Sequence, residues 1–304
     1  MYDIQRIMDN KVPDMEDIVK NNRIDELRAC LENSHILHDL KTNRVVFSTV
    51  DHDSIQEHSM AALDYAALEA AESDKLEIVE LLYPHLSSER HLVDPDTGAL
   101  SVKDLILKHL IQKNTGRSMI QTILDDTSYD PSYPHDNMPL QEAIADSNVE
   151  LVRLILHHPR VTICEDTLDD GLMSHACRRA DSEAGIEILK MFLDDPRFNL
   201  SRDANQAIHT LAYYSLNVGL ACIVNHPRIR WDWFGIPSPL AKCVENTNME
   251  GVRILLSQPL YDPCLNNNDA YHVAKSIQST HPEFMAELLS NERIAKSVQK
   301  SKLE

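Results

Sequence analysis

The sequence predicts an all-α fold, a helical repeat solenoid with long loops or hairpins in its N-terminal third, on three observations. First, one phrase returns: an apolar helical run, a proline or its stand-in, a basic or polar residue, then a large apolar residue. It reads Leu156-His157-His158-Pro159-Arg160-Val161, Leu193-Asp194-Asp195-Pro196-Arg197-Phe198, Val224-Asn225-His226-Pro227-Arg228-Ile229 and Leu256-Ser257-Gln258-Pro259-Leu260-Tyr261, with degenerate copies starting at Leu124 and Leu289. The steps from Leu124 through Leu156, Leu193, Val224 and Leu256 to Leu289 are 32, 37, 31, 32 and 33 residues, a period that marks stacked repeats. Second, about sixteen residues before each mark comes a short helical stretch with a small or apolar pair, as in Leu172-Met173-Ser174-His175-Ala176-Cys177 and Pro239-Leu240-Ala241-Lys242-Cys243-Val244. Third, hydrophobic content is 43% with only 5% aromatic residues, which suits thin helical layers that bury their faces on neighbours.

Taken in order, Met1 to Pro13 reads as an N-terminal cap (1–13), and the repeats run over 14–294, about eight units, irregular over 14–130 and more regular over 131–294. Asp14 to Asn33 holds a first helix pair with Ile24, Leu27, Cys30 and Leu31 on one face. Ser34 to Ser59 exceeds a normal inter-repeat loop, and within it the β-branched run Asn43 to Val50 predicts a strand or long hairpin arm. The second pair, Ala61 to Leu86, places Leu63, Ala66, Ala67 and Ala70, then Leu76, Val79, Leu82 and Tyr83, at helical spacing. Ser87 to Gly98 is a second long connection with a turn at Asp94-Pro95-Asp96-Thr97-Gly98. The third pair, Ser101 to Asp126, carries Leu105, Leu107 and Leu110, then Met119, Ile120, Ile123 and Leu124. Residues 295–304 read as a polar, solvent-facing tail, and Leu303-Glu304 match what a cloning scar leaves.

Leu76-Glu77-Ile78-Val79-Glu80-Leu81-Leu82-Tyr83 and Val149-Glu150-Leu151-Val152-Arg153-Leu154-Ile155-Leu156, with Met138-Pro139-Leu140 and Ser238-Pro239-Leu240, resemble the second and first helices of the ankyrin repeat. The chain departs from that family in glycine, with 7 in 304 residues. Asn and Asp, the residues next most tolerant of left-handed backbone, stand at the turns instead, as in Asp146-Ser147-Asn148, Asn246-Thr247-Asn248 and Asn266-Asn267-Asn268-Asp269.

The resemblance implies a protein-binding module whose concave groove is built from hairpin tips and the exposed ends of first helices. Carried over residue by residue, those ends are Leu68-Glu69, Ala145-Asp146, Arg178-Arg179, Tyr213-Tyr214, Glu245-Asn246 and Ser276-Ile277. Six residues past each proline or its stand-in lie Tyr133, Glu165, Arg202, Trp233 and Leu265, and Trp233 is followed by Phe234. Tyr213, Tyr214, Trp233 and Phe234, flanked by Arg178, Arg179 and Glu245 and with Tyr133 at an equivalent tip, are the candidate partner-binding residues, since aromatic and Arg side chains dominate interface hot spots. The competing reading is that a unit poor in aliphatics fills its own layer with these rings. Trp231, four residues past Pro227, is expected in the stack. Proline-marked, glycine-poor units of this style resemble those of the large ankyrin collections of protists, amoeba-infecting viruses and intracellular bacteria, a resemblance that implies a host-targeting effector or viral factor as one role.

Composition bounds the remaining classes. The net charge of −19 opposes nucleic acid and anionic membranes, which recruit Lys and Arg; such acidity keeps an elongated surface soluble, and a basic protein partner is the sharper alternative reading. The chain has no apolar run of membrane-spanning length, and the expected setting is cytoplasmic, or the host cytosol for a secreted effector, as a monomer. The six Cys show no C-x-x-C spacing, and Cys30, Cys177, Cys222 and Cys243 fall on helical faces. No phosphate-cradling, nucleophile-elbow or H-E-x-x-H motif occurs, so no catalytic residue, cofactor or metal is expected. His209 stands where the family places a His that bonds its own or a neighbouring repeat. A structural subunit burying a flank, and an enzyme with a pocket at the N-terminal loops, remain as alternatives.

Overall fold

The computed structural model describes residues 13–51, 54–88, 92–94, 98–132, 137–163, 171–198, 200–229, 231 and 237–301. These are mostly helical, with two short antiparallel hairpins. Compactness divides the chain into a first unit of residues up to Glu142 together with Ile155–Thr162, and a second of Ala143–Leu154 together with Ile163 onward.

The first unit begins with α1 (Met15–Lys20), α2 (Ile24–Glu32) and α3 (Ser34–Thr42). A strand pair follows, β1 (Arg44–Asp51) and β2 (Ser54–Ala61), then α4 (Ala62–Glu72) and α5 (Leu76–Leu82), which ends in a 3-10 turn, Tyr83–His85. Next come β3 (Leu92–Asp94), β4 (Gly98–Leu100), α6 (Val102–Gln112) and α7 (Arg117–Asp125). Helices α1, α4 and α6 pack in succession, α2 packs on α5, and α6 packs on α7. Leu27, Leu63, Ala67, Val79, Leu82, Leu107 and Ile123 are buried along these contacts, on the faces that the helical spacing predicts, and Ile18 and Ile78, which that spacing did not single out, are buried with them. Ile24, Leu31, Leu76 and Leu105 are only half-buried.

The expected N-terminal arm is present as the β1–β2 hairpin, paired from Arg44 opposite Ala61 to Asp51 opposite Ser54. The segment before it is not the loop that its length suggested. Asn33 accepts from the backbone N–H groups of His35 and Ile36 at 3.1 and 3.2 Å, which caps α3, while Ile36 and Leu40, four apart, bury one face.

Two further helices, α8 (Met138–Ala145) and α9 (Val149–Leu156), precede α10 (Leu172–Arg178) and α11 (Glu183–Asp194). The second unit continues with α12 (Leu200–Tyr213), α13 (Asn217–Val224), α14 (Pro239–Glu245), α15 (Met249–Leu256), α16 (Leu265–Ser276), α17 (Pro282–Ser290) and α18 (Glu292–Ser301). Helices α10, α12, α14 and α16 pack each on the next, as do α11, α13 and α15. Each member of the first row also packs on its follower in sequence, α10 on α11 through α16 on α17. The polar tail expected from residue 295 is largely helix: α18 runs to Ser301 and buries Ile294 and Val298.

Left-handed backbone recurs in the tight turns within helix pairs, at Asn22, Asp74, Asn114, Ser147, Ser215 and Thr247. Asn and Asp fill three of these positions as the turn chemistry predicts, and Ser or Thr fill the other three. Asn266, Asn267 and Asn268 are all left-handed at the start of α16, with φ of 51°, 58° and 62°.

The proline phrase forms a joint at the end of a second helix, and similar arginine ties recur at several of these joints. Arg228 Nη1 donates to the Leu193 and Asp195 carbonyls at 2.7 and 2.8 Å, and Nη2 to the Phe198 carbonyl at 2.9 Å. Arg160 donates to the Leu124 carbonyl at 2.7 Å and to those of Asp126 and Tyr129. Measured from the repeat marks Leu124 and Leu193, these are the same three positions. Arg293 meets the third of them, the Tyr261 carbonyl, at 2.7 Å, and Asp262 at 2.9 Å. Side-chain rungs also join successive joints: His158 to Asp125 at 3.0 Å beside the Arg160 clamp, His226 to Asp194 at 3.2 Å beside the Arg228 clamp, and Gln258 to Asn225 at 3.3 Å at a joint without an arginine clamp. A cation over the last carbonyls of a helix meets orphan acceptors and the negative end of the helix dipole together.

Candidate functional site

Tyr213 is the last residue of α12 and Tyr214 the first of the turn after it. The helix end is fixed from inside: Ile208, Leu211 and Ala212 are buried, Tyr214 N–H donates to the Thr210 carbonyl at 3.0 Å, and Leu216 N–H to that of Leu211 at 2.9 Å. Ser215 then takes φ of 56°, so the chain reverses without burying either ring. Tyr213 and Tyr214 are 51% and 52% exposed, values that exclude the layer-filling role for this pair. Their rings meet edge to face, with centroids 4.9 Å apart at 84°, a favoured aromatic geometry.

The neighbouring helix end holds the pair in place. Asn246, just past α14, donates its side-chain amide to the Tyr213 carbonyl. Lys242 Nζ sits 5.2 Å from the Tyr213 ring centroid, within cation–π range, and pairs with Glu245 at 2.6 Å. Glu245 is exposed. The structure thus brings Tyr213, Tyr214 and Glu245 into one patch. Arg178 and Arg179 are exposed at the end of α10, the helix that packs on α12 from the other side. Trp233, Phe234 and Tyr133 lie outside the described residues. Trp231, expected in the stack, is half-buried and lies edge to face with the buried Tyr261 ring, centroids 5.5 Å apart.

Of the other first-helix ends, Leu68 is buried while Ala145, Asp146 and Ser276 are exposed. Lys242 is the member of the patch that residue-by-residue reading missed. Its signal was its position three before Glu245 on a helix, where opposite charges meet.

A second concentration of ionisable groups lies in the first unit. Lys103, a buried side chain, donates to Asp126 at 2.7 Å and to Ser128 at 3.0 Å and lies 4.9 Å from the Tyr83 ring centroid. Tyr83 donates to the same carboxylate at 2.8 Å. Burial acts to raise the Asp126 pKa, but the hydrogen bonds from Lys103, Ser128 and Tyr83 outweigh it and hold the carboxyl below its usual range. Burial and the Asp126 bond push the Tyr83 phenol up. This carboxylate is kept charged and engaged by donors, the opposite of a general acid or base poised near neutrality.

Burial likewise pushes the Cys30 thiol up to about 11 and the Cys243 thiol up to about 12, and raises Cys177. Thiols so raised are not nucleophiles. His209 Nε2 lies 2.9 Å from the Pro237 carbonyl. No cluster of three metal-ligating side chains occurs among the described residues, and no helix described is long and apolar enough to cross a membrane.

A shallow cavity of about 560 Å³ opens in the second unit between α11 and Val218, which is 67% exposed. Its carboxylates Asp181, Glu183 and Glu187 outnumber Lys190, and Glu187 is already paired with Arg153 at 2.7 Å. The chain matches no protein-family model and no curated protein.

Proposed function

We propose that this chain is a divergent ankyrin-like helical repeat array that acts as a protein-binding module, with Tyr213, Tyr214 and Glu245 at the centre of its docking surface. The repeat reading is supported by the helix pairs, by the two rows of successive helix contacts in the second unit, and by clamps and rungs that recur in one register. The observation that carries the functional reading is the exposed Tyr213–Tyr214 pair, held by Lys242 and Asn246. Two ordered, half-exposed rings offer apolar area and hydroxyls at little entropic cost on binding. With a net charge of −19, the whole surface favours approach by a basic protein.

The test is site-specific photo-crosslinking. A photoreactive phenylalanine replaces Tyr214 in one preparation and the exposed His272 in another, and each is irradiated in native lysate. The expected result is a discrete adduct with one protein at position 214 and none at 272. Equal labelling at both positions, or none at 214, contradicts the proposal.

A further inference from the structure

We infer that the joint after α13, Val224 to Ile229, is a docking point for an arginine side chain of a protein partner. The observation is a gap in a repeated pattern. Among the described residues, clamps by an arginine four residues past a repeat mark include Arg160 and Arg228 on the first, third and sixth carbonyls of the preceding joint, and Arg293 on the sixth. For the Val224 joint those carbonyls belong to Val224, His226 and Ile229. The residue at the clamping position is Leu260, which has no donor and is 74% exposed.

The rest of the joint keeps the geometry of its clamped counterparts. Its turn bond, Ile229 N–H to the His226 carbonyl at 3.1 Å, matches Tyr129 to Asp126 at 3.1 Å and Phe198 to Asp195 at 3.3 Å. Its rung is also present, Gln258 to Asn225 at 3.3 Å. The carbonyls are therefore arranged as where a guanidinium is bound, yet among the described residues nothing donates to the Val224 or Ile229 oxygen. They stand at the C-terminal end of α13, where the helix dipole adds to the attraction for a cation.

The planar fork of a guanidinium spans several carbonyls at once, as Arg228 does, whereas an ammonium offers a single point of charge. The ligand is thus an arginine, presented by a partner along the exposed Leu260. This joint and the Tyr213–Tyr214 pair lie at opposite ends of α13, about 12 Å apart along its axis, and the inference does not depend on that pair.

The test is an NMR titration of the ¹⁵N-labelled full chain with acetyl-Pro-Arg-Ile-amide, a copy of Pro227-Arg228-Ile229, and with the same peptide carrying citrulline, which keeps the shape and loses the charge. The expected result is saturable shifts centred on the amides of Asn225, His226, Arg228 and Ile229 with the arginine peptide, and at least tenfold weaker binding of the citrulline peptide. In Leu260→Arg the chain supplies its own clamp. Its melting midpoint should rise by about 2 °C, and the peptide should no longer move those amides. Absent or scattered shifts, equal binding of the citrulline peptide, or an unchanged titration in folded Leu260→Arg would overturn the inference.

Discussion

Thr247 is a β-branched residue with φ of 53° in the turn between α14 and α15. L-residues enter that region at a cost of about 1–2 kcal/mol, and Thr lacks the carboxamide that makes Asn22 and Asn114 tolerant at the equivalent turns. The side chain is exposed, so its removal leaves no cavity. Thr247→Gly should therefore stabilise the chain by about 0.5–1 kcal/mol, the relief of strain being partly offset by glycine's freedom in the unfolded state. Urea unfolding would check this; a loss of stability would mean that the turn is unstrained. Sequence reading found this turn from its Asn-Thr-Asn composition but not that the middle residue takes the left-handed position. Which residue of such a run does so depends on where the preceding helix stops.

At the scale of elements, the joints add side-chain ties to the burial of the helix faces. Arg228 makes three charge-assisted bonds to carbonyls of the preceding joint, each of a kind worth about 1.5–3 kcal/mol when desolvated. The side chain is half-buried, so solvent discounts that sum, and Arg228→Met should cost about 2 kcal/mol by chemical denaturation. An effect within error of zero would remove the clamp from the account.

The Lys103–Asp126–Tyr83 network makes a pH prediction. The folded pKa of Asp126 is depressed, so its contribution is fully present above the ordinary carboxylate pKa of about 4 and is lost as pH falls below that value. Asp126→Asn should flatten the stability profile from about pH 5 to pH 2 relative to the unmodified chain. Parallel profiles would contradict the assignment.

Most helices were legible because their apolar spacing is local: Leu63, Ala67, Val79 and Leu82 announce α4 and α5. Helix α3 was not, since only Ile36 and Leu40 and one Asn cap define it beside a β-branched run. The repeated Pro-Arg was visible as a phrase, but its purpose was not. The carbonyls it holds lie 30 to 36 residues away, and no local pattern encodes that contact.

For the whole molecule, the binding reading rests on what the fold leaves outside. Tyr213 and Tyr214 stood out in the sequence because a first-helix end usually takes small residues, and the structure leaves both rings half-exposed. Lys242, which holds one of them, belongs to the next helix pair and became apparent only through packing. The excess of acid over base adds long-range attraction for a basic partner that salt would weaken. The most direct measurement is the affinity of the protein crosslinked at position 214 for the unmodified chain and for Tyr213→Ala/Tyr214→Ala, by calorimetry, with circular dichroism on both chains. The account predicts about tenfold or greater weakening with an unchanged spectrum, as expected when hot-spot rings are truncated. Equal affinity in two folded proteins would contradict it and place the docking surface elsewhere.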